Sequence, residues 1–363
     1  MERISSRQLM IIGSAVVMDA TLISVPGQMV GVAGQDAWMG YLFALAVPVV
    51  IWWTITRVLK RFPGEDLFSI LVNQLPVWGR MLSVAYLLFF FFILVRDLRM
   101  LTDFIDISLL QRTPTVAIAL LIIVTAMFIA QGGIEIIGRM SEIYQTILIL
   151  LVFSLPITLA RDFDPSELLP FLENGLQPVV VASWYASSYL GEVVVLGFLF
   201  ASQTVPFRKG LLGIFLGVAC LETLIVMNLF VLGAELAPRF VYPNYELVRE
   251  IRLTDFLDRL DIPIVGVWLP ALIIKIGIFL YVVIHGISRL LPSSSPKLLA
   301  GPVSLVAYSC SFWFFPDTSQ ILNFNRPWPV MALFFEFVLP VLLYIILWSK
   351  PIKQQNEGRS KSV

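Results

Sequence analysis

Ten stretches of predominantly apolar residues, each about twenty long, recur from one end of the chain to the other, and a bilayer core takes about that many residues per helix. They fall at roughly 9–31, 37–58, 79–107, 115–132, 141–160, 179–201, 210–233, 264–288, 297–315 and 329–349. In lipid every backbone polar group must be satisfied within the chain, so such stretches fold as helices. The balance of residue types agrees: 58% are hydrophobic and 14% charged, with a mean hydropathy of +0.87. A soluble domain carries about 25% charged residues. The reading is an all-α polytopic membrane protein of ten transmembrane helices. The first stretch has Asp19 at its centre, no small-residue cleavage signal and further spans behind it, so it reads as mature structure rather than a signal peptide.

Function classes fall away on the same grounds. Lys+Arg and Asp+Glu both number 25, so no basic surplus points to nucleic acid. The two cysteines, Cys220 and Cys310, both sit in apolar stretches and frame no disulfide scaffold or zinc site. One histidine, His285, cannot build a metal centre and reads as an interfacial residue. No nucleophile–base pair is apparent. The chain is expected not to be an enzyme and to need no cofactor.

Ten spans put both termini on one side. Loops on that side hold fifteen Lys/Arg, against three in the short opposite loops, which places both termini in the cytoplasm. The long 234–263 loop then lies outside. Leu247, Ile251, Leu253 and Phe256 recur there at roughly helical spacing, bracketed by Pro238, Pro243 and Pro263, which predicts short interfacial helices. The tail 350–363, with its polar end Gln354–Val363, is expected to be disordered. The remainder, 1–349, reads as one domain of two repeats, 1–160 and 179–349.

Two spans are interrupted. Span 1 carries Asp19-Ala20-Thr21 followed by Ser24, Pro26 and Gly27; span 6 reads Ser183-Trp184-Tyr185-Ala186-Ser187-Ser188-Tyr189-Leu190-Gly191-Glu192. They stand five spans apart. Breaks at matching positions in two halves mark an inverted-repeat transporter with its site near the bilayer midplane. Close packing of small residues would explain the glycines and serines, but neither Asp19 nor Glu192. Half-helix ends would offer N–H groups to an anionic substrate group and carbonyls to a cation. The candidate substrate-binding residues are Asp19, Ala20, Thr21, Tyr185, Ser187, Ser188, Gly191 and Glu192.

Charges inside a span cost at least about 2.5–3.5 kcal/mol each, so each should face a partner or a wet cavity. Lys275, in Ile273-Ile274-Lys275-Ile276-Gly277, is too deep to snorkel. Asp19 is its expected partner, with Glu192 and Glu222 as alternatives, either as a permanent salt bridge or as an ion-coupling group. Arg96, Asp97, Arg99 and Asp103 read as structural or vestibule-lining, Arg99 and Asp103 pairing at i,i+4.

The order of several stretches resembles a known family. These are Ile4-Ser5-Ser6-Arg7-Gln8, Gln35-Asp36-Ala37-Trp38, Leu98-Arg99-Met100 with Leu110-Gln111-Arg112-Thr113-Pro114-Thr115, and Gly132-Gly133-Ile134-Glu135 with Gly138-Arg139. The 168–178 loop, Tyr189-Leu190-Gly191-Glu192 and Phe315-Pro316-Asp317 complete the set. The chain resembles the B subunits of spore germination receptors, the endospore germination permease family of the amino acid–polyamine–organocation superfamily. That resemblance implies a LeuT-type 5+5 inverted repeat, with spans 1, 2, 6 and 7 as a bundle and 3, 4, 8 and 9 as a scaffold. It implies the inner spore membrane, partner A and C subunits, and sensing of a small nutrient such as an amino acid or sugar. Some relatives carry a Gly-Ala-Gly-like break where this chain has Asp19-Ala20-Thr21, so L-alanine is not the expected nutrient. A proton-coupled amino acid permease would use the same pocket.

Overall fold

The structure, a computed structural model, describes residues 4–200, 206–251, 261–291 and 295–348. Every regular element among them is helical. Eight stretches are long and apolar enough to cross a bilayer: Ser6–Ile23, Met39–Arg61, Trp78–Ser108, Gly133–Thr158, Gln177–Leu199, Phe207–Arg239, Ile264–Leu290 and Trp328–Trp348. These are the expected spans 1, 2, 3, 5, 6, 7, 8 and 10. Span 9 is a pair, Pro296–Phe314 and Thr318–Phe324, bent by 88°. Span 4, Thr115–Gln131, is apolar but only 17 residues long, at the short end for a crossing. Large side chains such as Leu121, Ile157 and Trp313 point outward and exposed, a surface that suits acyl chains and not water. The protein is an all-helical, multi-pass integral membrane protein. The tail 350–363 lies outside the described residues.

Local signals explain the element ends. The Ser5 hydroxyl accepts from the Gln8 backbone N–H at 3.1 Å, and the Ser5 N–H donates to Gln8 Oε1 at 2.8 Å. This capping box starts span 1. Gly133 has φ 79°, a left-handed residue that lets span 4 turn directly into span 5. Asp317 caps Thr318–Phe324 by accepting from the Gln320 N–H at 2.9 Å. The corner of span 9 is held from span 3, where Arg99 pairs with Asp103 at 2.9 Å as expected. Arg99 also donates to the Pro316 carbonyl at 3.3 Å, and Thr318 donates to Asp103 Oδ2 at 2.9 Å.

Span 1 packs on spans 7 and 5, span 6 on span 2 and on the C-terminal part of span 1, Pro26–Ala33, and span 8 on spans 3, 4 and 5. The span 1–span 7 seam is close because its glycines permit it. A Cβ at Gly213 would collide with the Met10 backbone carbonyl, and one at Gly217 would reach Ser14 O at 3.0 Å.

Two features add to expectation. The loop helix Pro243–Arg249 between spans 7 and 8 is present and is packed on the protein: Asn244, Tyr245, Leu247 and Val248 are buried. Asn244 donates to the Leu22 carbonyl at 2.8 Å and accepts from Asn228 at 2.6 Å, so polar bonds hold it against span 1. Leu253 and Phe256 lie outside the described residues. The second feature is a short helix, Leu67–Gln74, between spans 2 and 3. Its capping residue, Asp66, accepts from the Ser69 N–H at 2.8 Å and meets His285 Nε2 at 2.9 Å and Arg289 Nη2 at 3.1 Å. His285 is therefore a tie between this helix and span 8, not a free interfacial side chain.

Burial pushes the Asp66 carboxyl up, but the His285 hydrogen bond and charge, the Ser69 N–H and Arg289 together hold it below the usual carboxylate range. A depressed native value stabilises the fold at pH above the ordinary carboxylate range, and that contribution disappears as pH falls through the native value. Asp66→Ala should cost about 1–2 kcal/mol. Thermal unfolding of the detergent-solubilised protein as a function of pH measures this: the variant should lose stability near neutrality and show a shallower acid limb.

Candidate functional site

The two interruptions are present, but neither is an extended gap. In span 1 the helix Ser6–Met18 gives way to Thr21–Ser24 and then Pro26–Ala33. Asp19 and Ala20 keep right-handed helical dihedrals between them. In span 6 the α-helix Gln177–Leu190 tightens into a 3₁₀ stretch, Gly191–Val195, before Leu196–Leu199. Changing the hydrogen-bond register without unwinding redirects side chains and frees a few backbone groups. The Asn244 amide satisfies one of them, Leu22 O.

Spans 3, 6 and 8 meet at the span 6 transition and bring four charges together. Glu192 is the second residue of the 3₁₀ stretch. Its Oε1 accepts from Arg96 Nη2 at 2.6 Å, and its Oε2 pairs with Lys275 Nζ at 2.7 Å. Asp97 Oδ1 accepts from Arg96 Nη2 at 2.6 Å and Nε at 3.0 Å, and Asp97 Oδ2 lies 3.4 Å from Lys275 Nζ. All four side chains are buried, none more than 4% exposed. Two cations face two anions, the arrangement that makes buried charge tolerable. The Arg96 guanidinium is also sandwiched between the rings of Tyr189 and Trp328, at 4.5 and 4.7 Å. Tyr189 is fixed in turn by its hydroxyl, which donates to Asn325 Oδ1 at 2.6 Å.

The partner of Lys275 is thus Glu192, with Asp97 second, and not Asp19. Asp19 is fully buried, and neither of its oxygens has a hydrogen-bond partner in the described residues. Spans 1 and 8 do touch, but the acid on the span 6 transition takes the ammonium first. Glu222 forms no ion pair among the described residues, and its Oε2 is buried without a hydrogen-bond partner. Arg96 and Asp97, read from the sequence as vestibule or structural residues, are central to the network. Adjacent opposite charges deep in a 31-residue helix were the available signal.

The other candidates are placed as follows. Thr21 donates to Val17 O at 2.8 Å, Ser187 to Ser183 O at 2.6 Å and Ser188 to Tyr185 O at 2.8 Å. Their hydroxyls are turned onto their own helices. Ala20 is buried. Gly191 is packed against Glu336 of span 10, so tightly that a Cβ there would overlap Glu336 Oε2. Tyr185 faces a cavity of about 330 Å³ that it shares with Gly27, Gln28 and Gly31 of span 1 and with Asn323 and Arg326 near the corner of span 9.

Comparison with known proteins places this architecture. The profile of the family described as "Spore germination protein" matches residues 3–319. The chain belongs to that family. It is 32% identical over 352 residues to the putative spore germination protein YfkT of Bacillus subtilis (strain 168), covering 97% of this chain and 98% of that one. It is 26% identical to spore germination protein KB of the same organism, covering 98% of each. Among solved structures it resembles Mhp1, a nucleobase-cation-symport-1 transporter. The TM-score is 0.59 at 15% identity, over 91% of this chain and 76% of that one. MhsT in complex with L-phenylalanine gives a TM-score of 0.60 at 14% identity, over 96% and 99%. The fold is the LeuT-type transporter fold with interrupted spans 1 and 6. The family is one of spore germination proteins built on that transporter architecture.

Proposed function

We propose that this chain is the nutrient-sensing subunit of a spore germination receptor. It binds a small nutrient, such as an amino acid or a sugar, between the interruptions at Asp19–Thr21 and Tyr185–Gly191. It sits in the inner spore membrane with both termini in the cytoplasm, and it passes the bound state to A and C partner subunits. The carrying observation is that Glu192, on the span 6 interruption, is clasped by Arg96 of span 3 and Lys275 of span 8. A ligand that moves span 6 has to change that clasp, so its affinity differs between two conformations. A sensor needs no more than this difference. Membership of the spore germination family supports the sensing role over simple transport.

The cavity beside Tyr185 offers the nutrient a route inward, and its approach is polar through Gln28, Asn323 and Arg326. A proton-coupled amino acid permease is the second reading, favoured by the likeness to a transporter solved with L-phenylalanine. Ser188→Leu should raise the nutrient concentration giving half-maximal germination while protein level is kept; an unchanged dose–response overturns the placement. Uptake of radiolabelled nutrients into proteoliposomes, beside germination of spores lacking only the partner subunits, separates the two readings. Concentrative uptake by the chain alone, with normal germination in partnerless spores, makes it a permease.

A further inference from the structure

Span 10 contains an acid that the network does not use. Glu336 lies in a π-helical turn, Phe334–Val338, and such turns insert a residue into the α ladder and recur at functional sites. Its side chain is wholly buried. Neither carboxylate oxygen has a hydrogen-bond partner, and Glu336 forms no ion pair among the described residues. One oxygen rests on Gly191, at the transition of span 6. A Cβ there would also come within 3.0 Å of Glu336 Cδ and 3.1 Å of its Cβ, so no side chain separates the acid from the moving part.

The charged groups facing Glu336 are Glu192 of span 6, Arg96 of span 3 and Lys275 of span 8. Tyr86 of span 3 is also near, but its hydroxyl donates to the Phe335 backbone carbonyl at 2.9 Å. Span 2 packs on the turn as well, and its charges, Arg57, Lys60 and Arg61, are in its C-terminal turns. The charge count is decisive. Arg96 and Lys275 are already matched by Asp97 and Glu192, so an ionised Glu336 would be a fifth charge with no counterpart. A buried carboxylate without a counter-charge or donor takes up a proton instead.

We propose that Glu336 is a proton-binding site that reports the position of span 6. In the conformation described it is a neutral carboxylic acid. When span 6 shifts and Glu192 withdraws from Arg96 and Lys275, those cations are left facing Glu336. Its O–H bond then breaks, the proton passes to water, and the Glu336 carboxylate takes the vacated place. Protons and the shift are therefore linked: acid favours the clasped conformation, and alkaline solution favours the shifted one. This rests on the proposed movement of span 6 in nutrient sensing.

The test uses the purified full chain and Glu336→Gln, which has the shape of the protonated acid and cannot ionise. Infrared difference spectra across a pH series should show, in the wild type, the carbonyl stretch of a buried carboxylic acid that fades as pH rises. That band should be missing in Glu336→Gln, while contributions from Asp19 and Glu222 cancel in the comparison. In spores, the wild-type nutrient response should depend on pH and that of Glu336→Gln should be flattened and weaker. Glu336→Met serves for the spectra should Glu336→Gln fail to accumulate. Identical carboxylic acid bands in wild type and variant overturn the proposal. A titrating Glu336 band with the same germination pH profile in both proteins supports the proton site and overturns its link to the nutrient response.

Discussion

Lys275→Ala removes one cation from the buried network and leaves Asp97 and Glu192 facing Arg96 alone, at an expected cost of about 3–5 kcal/mol. The size follows from burial: the ammonium is 1% exposed and lies 2.7 Å from Glu192 Oε2, so water cannot replace it. Neutralising the surplus acid should restore much of the loss. Lys275→Ala with Glu192→Gln is expected to be more stable than the sum of the single effects. Lys275→Ala with Asp19→Asn is expected to show a smaller coupling, since Asp19 feels the Lys275 charge only at a distance and is not its ion-pair partner. Non-additivity is the mark of direct contact. Thermal unfolding and membrane protein level of the three single and two double variants measure it. Coupling to Asp19 in place of Glu192 would refute the observed pairing.

Arg96→Ala should be at least as damaging, again about 3–5 kcal/mol. It strips a donor from both acids and empties the space between Tyr189 and Trp328. Arg96→Lys is the informative companion. It keeps the charge, but an ammonium cannot fill a slot between two rings or donate through a planar fork. Lysine is therefore expected to recover less than half of the loss. Full recovery by lysine would mean that charge alone matters and that the ring sandwich contributes nothing. The same unfolding measurement decides it, with the near-ultraviolet environment of Trp328 as a second readout.

How far the sequence carried this picture depends on what each residue signals by itself. Depth in an apolar run is visible in one dimension, so Lys275 and Glu192 stood out, and so did the interruptions around Asp19 and Gly191. Pairing is not visible in one dimension. Lys275 was matched to Asp19 because spans 1 and 8 are neighbours, and they are. The choice between acids turns on helix rotation and on the 3₁₀ transition that swings Glu192 inward, and no spacing rule encodes either. Arg96 and Asp97 were read as structural or vestibule-lining residues; that Glu192 of span 6 and Lys275 of span 8 meet them is not encoded in span 3 itself. Glu336 meets the same depth criterion as Lys275 but was not among the candidate residues, and its place against Gly191 depends on packing that its neighbours in sequence do not show. Ser187 and Ser188 were candidate binding residues because they belong to the interruption of span 6, and their hydroxyls donate to carbonyls of their own helix. The loop helix Pro243–Arg249 was legible as a helix. Its docking was not, because that depends on Asn228 and Asn244 finding each other across the span 7–loop boundary.

The neutrality of the four-charge network has an electrical consequence. Moving one elementary charge through the full membrane potential is worth about 2.3 kcal/mol per 100 mV, enough to bias a conformational equilibrium. Two cations and two anions held within 3.4 Å of their nearest counterparts form a multipole whose net force in a uniform field is zero. Displacing the network as a unit therefore carries no gating charge. Separating Glu192 from Arg96 and Lys275 is different: it moves one negative charge against the fixed cations of spans 3 and 8. Within this network voltage acts through the opening of the clasp, over the distance Glu192 travels along the membrane normal, together with any proton that Glu336 releases as the clasp opens.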